Sequence, residues 1–190
     1  MCEERVSAQL ELPQRKRNRL TGRDYSGDGA YFITFCVKGR YPILGEIDEI
    51  HVGDGVPDVP SVRLSDCGKY VERHIAGINK AYGSVSIVKY VIMPNHVHMI
   101  VRIHETSGTS RTPSPTNETI PRLVSTLKRF VNRDVGENIW QRSYHDHIIR
   151  GEADYRKIWE YIHTNPAQWK DDCLFEPPET HGTQENRTTN

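Results

Sequence analysis

Tyr90-Val91-Ile92-Met93-Pro94-Asn95-His96-Val97-His98-Met99-Ile100-Val101 is an apolar run that carries two histidines. Val97, Met99 and Val101 alternate with His96, His98 and Ile100. In a strand, whose side chains have a period of two, this turns both histidines to one face. The rise per residue sets the two imidazoles about 7 Å apart, close enough to converge on one ion. Pro94 and Asn95 supply a turn, so Val85 to Met93 and Val97 to Ile103 read as two consecutive strands.

Upstream, Ala30 to Val37 is aromatic and β-branched and reads as a central strand. Lys38-Gly39-Arg40 then turns the chain into a short second strand near Ile43 to Ile50, which predicts a hairpin. Residues 51 to 61, rich in Gly, Pro and Asp, predict a loop. Ser65 is a good N-cap for a helix carrying Val71, Ile75 and Ile78 on one face and ending before Gly83; His74 there reads as a packed or half-exposed histidine.

Downstream, residues 107 to 117 form an aperiodic connector. Asn117 caps a helix whose stripe is Ile120, Val124, Leu127 and Val131, with Arg122, Arg129 and Arg133 on the opposite face. Such a row is equally compatible with a solvated face and with tracking a phosphate backbone. Trp140 to Arg150 contains a second His-x-His, His145 and His147. With Trp140, Ile148 and Ile149 around it, the segment reads as a buried connection whose histidines bond to backbone or Asp146. Residues 152 to 165 read as a helix with Tyr155, Ile158, Trp159 and Ile162 as its stripe, finishing at Asn165 because Pro166 disfavours helical geometry there. Asp154, Tyr161 and Asn165 share one flank, and Lys157 lies one turn before Tyr161.

The bulk numbers exclude little but bound the answer. With 190 residues and 36% hydrophobic content, the chain suits one domain with tails. Lys plus Arg and Asp plus Glu both number 25, so any basic surface must come from local placement, such as the Arg15, Lys16 and Arg17 cluster, which reads either as a phosphate grip or as a solvated leader. Four scattered cysteines argue against a zinc ribbon or a disulfide framework and make a reducing cytosol the default. No apolar stretch reaches membrane-spanning length.

Two histidines are only part of a coordination shell, and a catalytic site needs a further donor. Asn165, one turn beyond Tyr161, is a candidate, and the same helix would deliver the Tyr161 hydroxyl to whatever oxygen the ion polarises. An unperturbed phenol has a pKa of about 10, so a nearby cation or Lys157 is needed to favour the phenolate nucleophile.

Met93-Pro94-Asn95-His96-Val97-His98, Trp140-Gln141-Arg142-Ser143-Tyr144-His145-Asp146-His147-Ile148-Ile149-Arg150 and Ile158-Trp159-Glu160-Tyr161-Ile162-His163-Thr164-Asn165-Pro166 together resemble the HUH-type single-tyrosine transposases. Within the IS200-like family, the similarity is to the REP-associated tyrosine transposase branch. The resemblance implies an α+β, ferredoxin-like antiparallel sheet with helices packed on one face over residues 28–172, between a flexible basic leader, 1–27, and a disordered tail, 173–190. It implies a metal-dependent endonuclease and strand transferase acting on single-stranded DNA with hairpin or palindromic ends, as monomer or homodimer, in the cytoplasm at the nucleoid. His96, His98 and Asn165 would hold Mg²⁺ or Mn²⁺. Tyr161 would attack the phosphodiester, leaving a 5′-phosphotyrosine link and a free 3′-hydroxyl. Arg15, Lys16, Arg17, Arg122, Arg129, Arg133 and Lys157 are the candidate DNA contacts. The alternative is a domesticated hairpin-binding protein that does not cut. A histidine-triad phosphohydrolase is disfavoured because the next alternating position is Ile100.

Overall fold

The computed structural model describes residues 29–48, 60–104 and 119–175. Strand β1, Gly29–Cys36, is flanked on both sides, by β5, His96–Ile103, and by β6, His145–Ile149, while β4, Val85–Ile92, closes the other edge. All neighbours are antiparallel in the order β4-β5-β1-β6. With helices α1, Asp66–Ala81, and α2, Thr119–Val135, as the two crossovers, the main chain path is β-α-β-β-α-β, the ferredoxin-like arrangement. A third helix, α3, Gly151–Thr164, follows β6.

Parity along the strands sorts the two faces. Tyr31, Ile33 and Phe35 of β1 and Val97, Met99 and Val101 of β5 pack under α1 and α2, against Val71, Ile75, Ile78, Leu123, Val124 and Leu127. Each such side chain contributes roughly 1.5–3 kcal/mol over its exposed state, so this face holds most of the stability. The opposite face carries Phe32, Ile100 and Ile149, and there Ile158 and Ile162 seat α3. The expectation of helices on one face thus holds for α1 and α2, whereas α3 crosses the other.

The predicted hairpin after β1 does not form. Apolar side chains on both faces of β1 suit it to the sheet interior, where β5 and β6 occupy both of its edges. The polar β2, Gly45–Asp48, pairs instead with β3, Ser61–Leu64, which begins where a loop was expected to end. This ribbon is joined to α1 by Ser65: its hydroxyl donates to Ile43 O at 2.6 Å and accepts from Gly68 N–H at 3.2 Å. Gly68 is required by proximity, because a Cβ there would stand 2.1 Å from Leu44 O.

One further expectation is corrected. Residues 145–149 are an edge strand with His145 and His147 exposed, not a buried connection. α3 ends at Thr164 with Asn165 as its C-cap, where it was expected to finish, but Asn165 keeps helical angles, φ −54° and ψ −42°, and the chain runs directly into a 3₁₀ segment, Asn165–Asp171. Pro166 sits in the first turn of that segment, where no N–H is needed. Arg15, Lys16, Arg17, the 107–117 connector and Asn117 lie outside the described residues. Among the described residues no helix is long and apolar enough to cross a membrane.

Candidate active site

β5 places His96 and His98 on the α3 face, where both are buried, 0% and 3% exposed. Their Nε2 atoms face each other at 2.9 Å. Each Nδ1 has its own partner. His96 Nδ1 lies 2.7 Å from Asn95 Oδ1, and that amide is oriented by its Nδ2 donating to Arg40 O at 3.0 Å and Leu174 O at 2.8 Å. A fixed carbonyl oxygen assigns the Nδ1 proton to His96, leaving its Nε2 lone pair free. His98 Nδ1 lies 2.7 Å from Thr34 Oγ1, across the β1/β5 ladder.

A threonine hydroxyl can donate or accept, so His98 has two satisfied tautomers. With Thr34 donating, His98 Nε2–H points at His96 Nε2 and the histidines bond to each other. With Thr34 accepting from Nδ1–H, both Nε2 lone pairs turn to the same space, as a cation requires. Burial pushes His96 down to about 4, against the raising effect of Asp172, and lowers His98 well below the ordinary imidazole value, reinforced by His96. Both are therefore neutral at pH 7, the form that ligates metals.

From α3, Tyr161 brings its hydroxyl 3.2 Å from His98 Nε2 and 3.2 Å from Asp172 Oδ2. Asn165 Nδ2 donates to the same Asp172 oxygen at 2.8 Å, while Leu174 N–H donates to Asp172 Oδ1 at 2.7 Å. His96, His98 and Asp172 offer ligand atoms that all lie within 4.8 Å of one another. Asn165 is 1% exposed and its Oδ1 has no hydrogen-bond partner. A buried acceptor left unpaired is costly and asks for a donor or a cation. Two neutral imidazoles and a carboxylate, with the Asn165 amide bonded to that carboxylate, make a mixed N/O donor set that could hold a divalent cation.

Burial raises the Tyr161 phenol above its ordinary value, and the Asp172 charge raises it further. The hydroxyl is protonated at neutral pH. For Asp172, burial works upward, but the Asn165 and Leu174 donors and the two histidines outweigh it and hold the carboxyl below its ordinary value. Phe32 completes the site: its ring stacks on His98 with centroids 5.2 Å apart and meets Tyr161 edge-on at 6.0 Å. Trp169 covers His96 at 5.9 Å.

The family model described as "Transposase IS200 like" matches residues 28–165. The chain belongs to the IS200-like transposase family. It is 33% identical over 180 residues to a Haemophilus influenzae protein without a functional name, covering 86% of this chain and 94% of the relative. An Escherichia coli REP-associated tyrosine transposase is 29% identical over 79 residues, 42% of each chain. Among solved structures, a REP-associated tyrosine transposase bound to a REP hairpin superposes with a TM-score of 0.53 at 20% identity, over 77% of this chain and 72% of that one. That likeness is one of fold.

In this IS200-like chain the structure gathers His96, His98, Tyr161 and Asn165 into one cluster. It does not bring Lys157 there, which is exposed on α3. Arg122, Arg129 and Arg133 are exposed on α2, the helix that covers the opposite face of the sheet. Trp159, assigned to the apolar stripe, is 39% exposed with Lys89 Nζ 4.7 Å from its ring centroid. Tyr31 and Phe35, the aromatic residues of the opposite parity on β1, are core residues. Sequence reasoning missed Thr34, Asn95 and Asp172. Thr34 is polar in an otherwise apolar strand and shares a face with Phe32, a signal that was legible; Asp172 lies in an irregular segment and carried none.

Proposed function

We propose that this protein is a metal-dependent single-stranded DNA endonuclease and strand transferase that acts at hairpin ends through a 5′-phosphotyrosine intermediate. The observation that supports this reading best is the convergence of the Tyr161 hydroxyl, two neutral histidines and Asp172, to which the Asn165 amide is bonded, in one half-buried cluster. His96, His98 and Asp172, with Asn165 Oδ1, would hold the ion. A bound Mg²⁺ or Mn²⁺ supplies Lewis-acid polarisation of the scissile phosphate and positive charge that favours a phenolate.

The chain's own residues do the rest. Tyr161 is aimed by His98 and Asp172 and kept protonated until substrate arrives, which guards the nucleophile against reaction elsewhere. Asp172 Oδ2, an ionised carboxylate oxygen 3.2 Å from the hydroxyl, is the acceptor positioned to take the phenol proton as the Tyr161 oxygen bonds to phosphorus. The bond from phosphorus to the 3′ oxygen breaks, and that oxygen leaves as a hydroxyl after protonation. Because the phosphodiester energy is retained in the tyrosyl link, the reverse attack by a 3′-hydroxyl needs no nucleotide cofactor. Because the Tyr161 hydroxyl lies 3.2 Å from His98 Nε2 of the same chain, we propose that one protomer supplies the whole site.

The test is incubation of the full chain with end-labelled hairpin-bearing single strands, with Mn²⁺ or with chelator, followed by denaturing electrophoresis. A metal-dependent covalent adduct, absent in Tyr161→Phe, is the expected result, and its yield per protein is independent of dilution. An adduct that persists in Tyr161→Phe refutes the assignment. Tight metal-independent hairpin binding with no adduct under any condition points to a non-cutting binding protein.

A further inference from the structure

The second His-x-His has no part in the cluster above, yet the fold puts it on the same face. Thr34 is the Cα partner of His98 on one side and of His145 on the other; Phe32 is the partner of His147. Ile149, two residues beyond His147, packs with the α3-side cluster, whereas Ile148 packs with the other core. His145 and His147 therefore face the α3 side of the sheet, two strands, or about 10 Å, from β5. Both are exposed.

Between them and the catalytic pair lies Phe32, stacked on His98 and edge-on to Tyr161. His147 Nε2 is held 2.9 Å from Asp154 Oδ2, a carboxylate that also accepts Arg150 N–H at 2.9 Å. Asp154 precedes Tyr161 by seven residues, so it stands on the same flank of α3, two turns or about 10 Å back. Beside the nucleophile on this face, Phe32 is half-buried and His145 and His147 are exposed, with Asp154 at the side of His147. That composition is ring-rich, so a strand seated here turns its bases inward. Imidazole and phenyl rings stack on any base, which suits unpaired nucleotides.

We propose that Phe32, His147 and His145 form a stacking platform for the unpaired bases next to the scissile phosphate, with Asp154 fixing the His147 ring. The proposal rests on the reading of the cluster as a single-strand DNA nuclease site. It leaves Trp159, on the β4 side of α3, outside the strand path.

The test measures binding of the full chain to fluorescent hairpin DNA in chelator, so that no cleavage is required. Single abasic nucleotides are walked through the unpaired flank. His147→Ala is expected to weaken binding by about 5- to 150-fold, the range for losing one base stack, and His147→Phe to restore most of it. One abasic position is expected to weaken the wild type and leave His147→Ala unaffected. His145→Ala gives a smaller loss, and Trp159→Ala binds as wild type. Wild-type affinity in His147→Ala, failure of His147→Phe to rescue a correctly folded protein, or a loss confined to Trp159→Ala overturns the platform. Platform-dependent binding without any metal-dependent adduct overturns the nuclease reading alone, and absence of hairpin binding overturns both.

Discussion

Replacing Thr34 by Val tests the argument about histidine tautomers, because it removes one hydroxyl and keeps a β-branched side chain suited to the strand. Thr34 is 7% exposed, and its Oγ1 is the partner of His98 Nδ1 at 2.7 Å. In the cation-binding tautomer that nitrogen carries a proton. Without the hydroxyl, an N–H is left buried and unpaired, at a cost of about 1–3 kcal/mol. In the metal-free tautomer the same nitrogen is a bare acceptor, a milder loss, so the difference falls on metal binding. Partners of ligating histidines are typically worth 10- to 100-fold in metal affinity, and we expect Thr34→Val to weaken Mn²⁺ binding by about that factor. Thr34→Ser, which keeps the hydroxyl, stays within a few-fold of wild type. Isothermal titration calorimetry with Mn²⁺ measures the affinity, and urea unfolding in chelator separates it from the stability of the metal-free fold. A folded Thr34→Val that binds Mn²⁺ as tightly as wild type would falsify the tautomer argument.

Two further outcomes bear on the frame around the site. The Asp134 carboxyl is held at about 2 chiefly by its hydrogen bond to His74, with Arg133 and Arg73 overcoming the opposing effect of burial. A depressed carboxyl stabilises the fold fully above its unfolded value near 4 and loses that contribution as pH falls towards about 2. Urea midpoints for the wild type should therefore drop more steeply over that window than those of Asp134→Asn, and parallel curves would refute the pairing. Gly68→Ala forces a Cβ against Leu44 O, so despite the better helix propensity we expect a net loss of about 1–3 kcal/mol by urea unfolding. A gain in stability would show that the close approach is not needed.

Periodicity and residue type carried much of this protein. Apolar faces repeating at two or 3.6 residues fixed which segments became β4, β5, α1, α2 and α3, because burial of one face is a local property of the chain. The His96 and His98 pairing and the position of Tyr161 one turn before Asn165 were legible for the same reason: both are spacings within a single element.

Partners from different elements were not legible, since nothing local specifies them. β1 read as the start of a hairpin, but only the assembled sheet shows β5 and β6 filling both of its edges and leaving β2 to pair with β3. Thr34 acquires its role from the register that sets it across from His98. Asn95 read as a turn residue, yet the fold makes it the group that orients His96 and anchors the segment after α3 through Leu174. Asp172 gains its place because the chain continues past Pro166 as a 3₁₀ turn and returns to Tyr161. His145 and His147 looked like buried residues of a connection until strand order put them at an exposed edge, on the face of the nucleophile. The elements and the reacting side chains follow from local pattern; which neighbours orient, protonate and flank them depends on long-range register and packing.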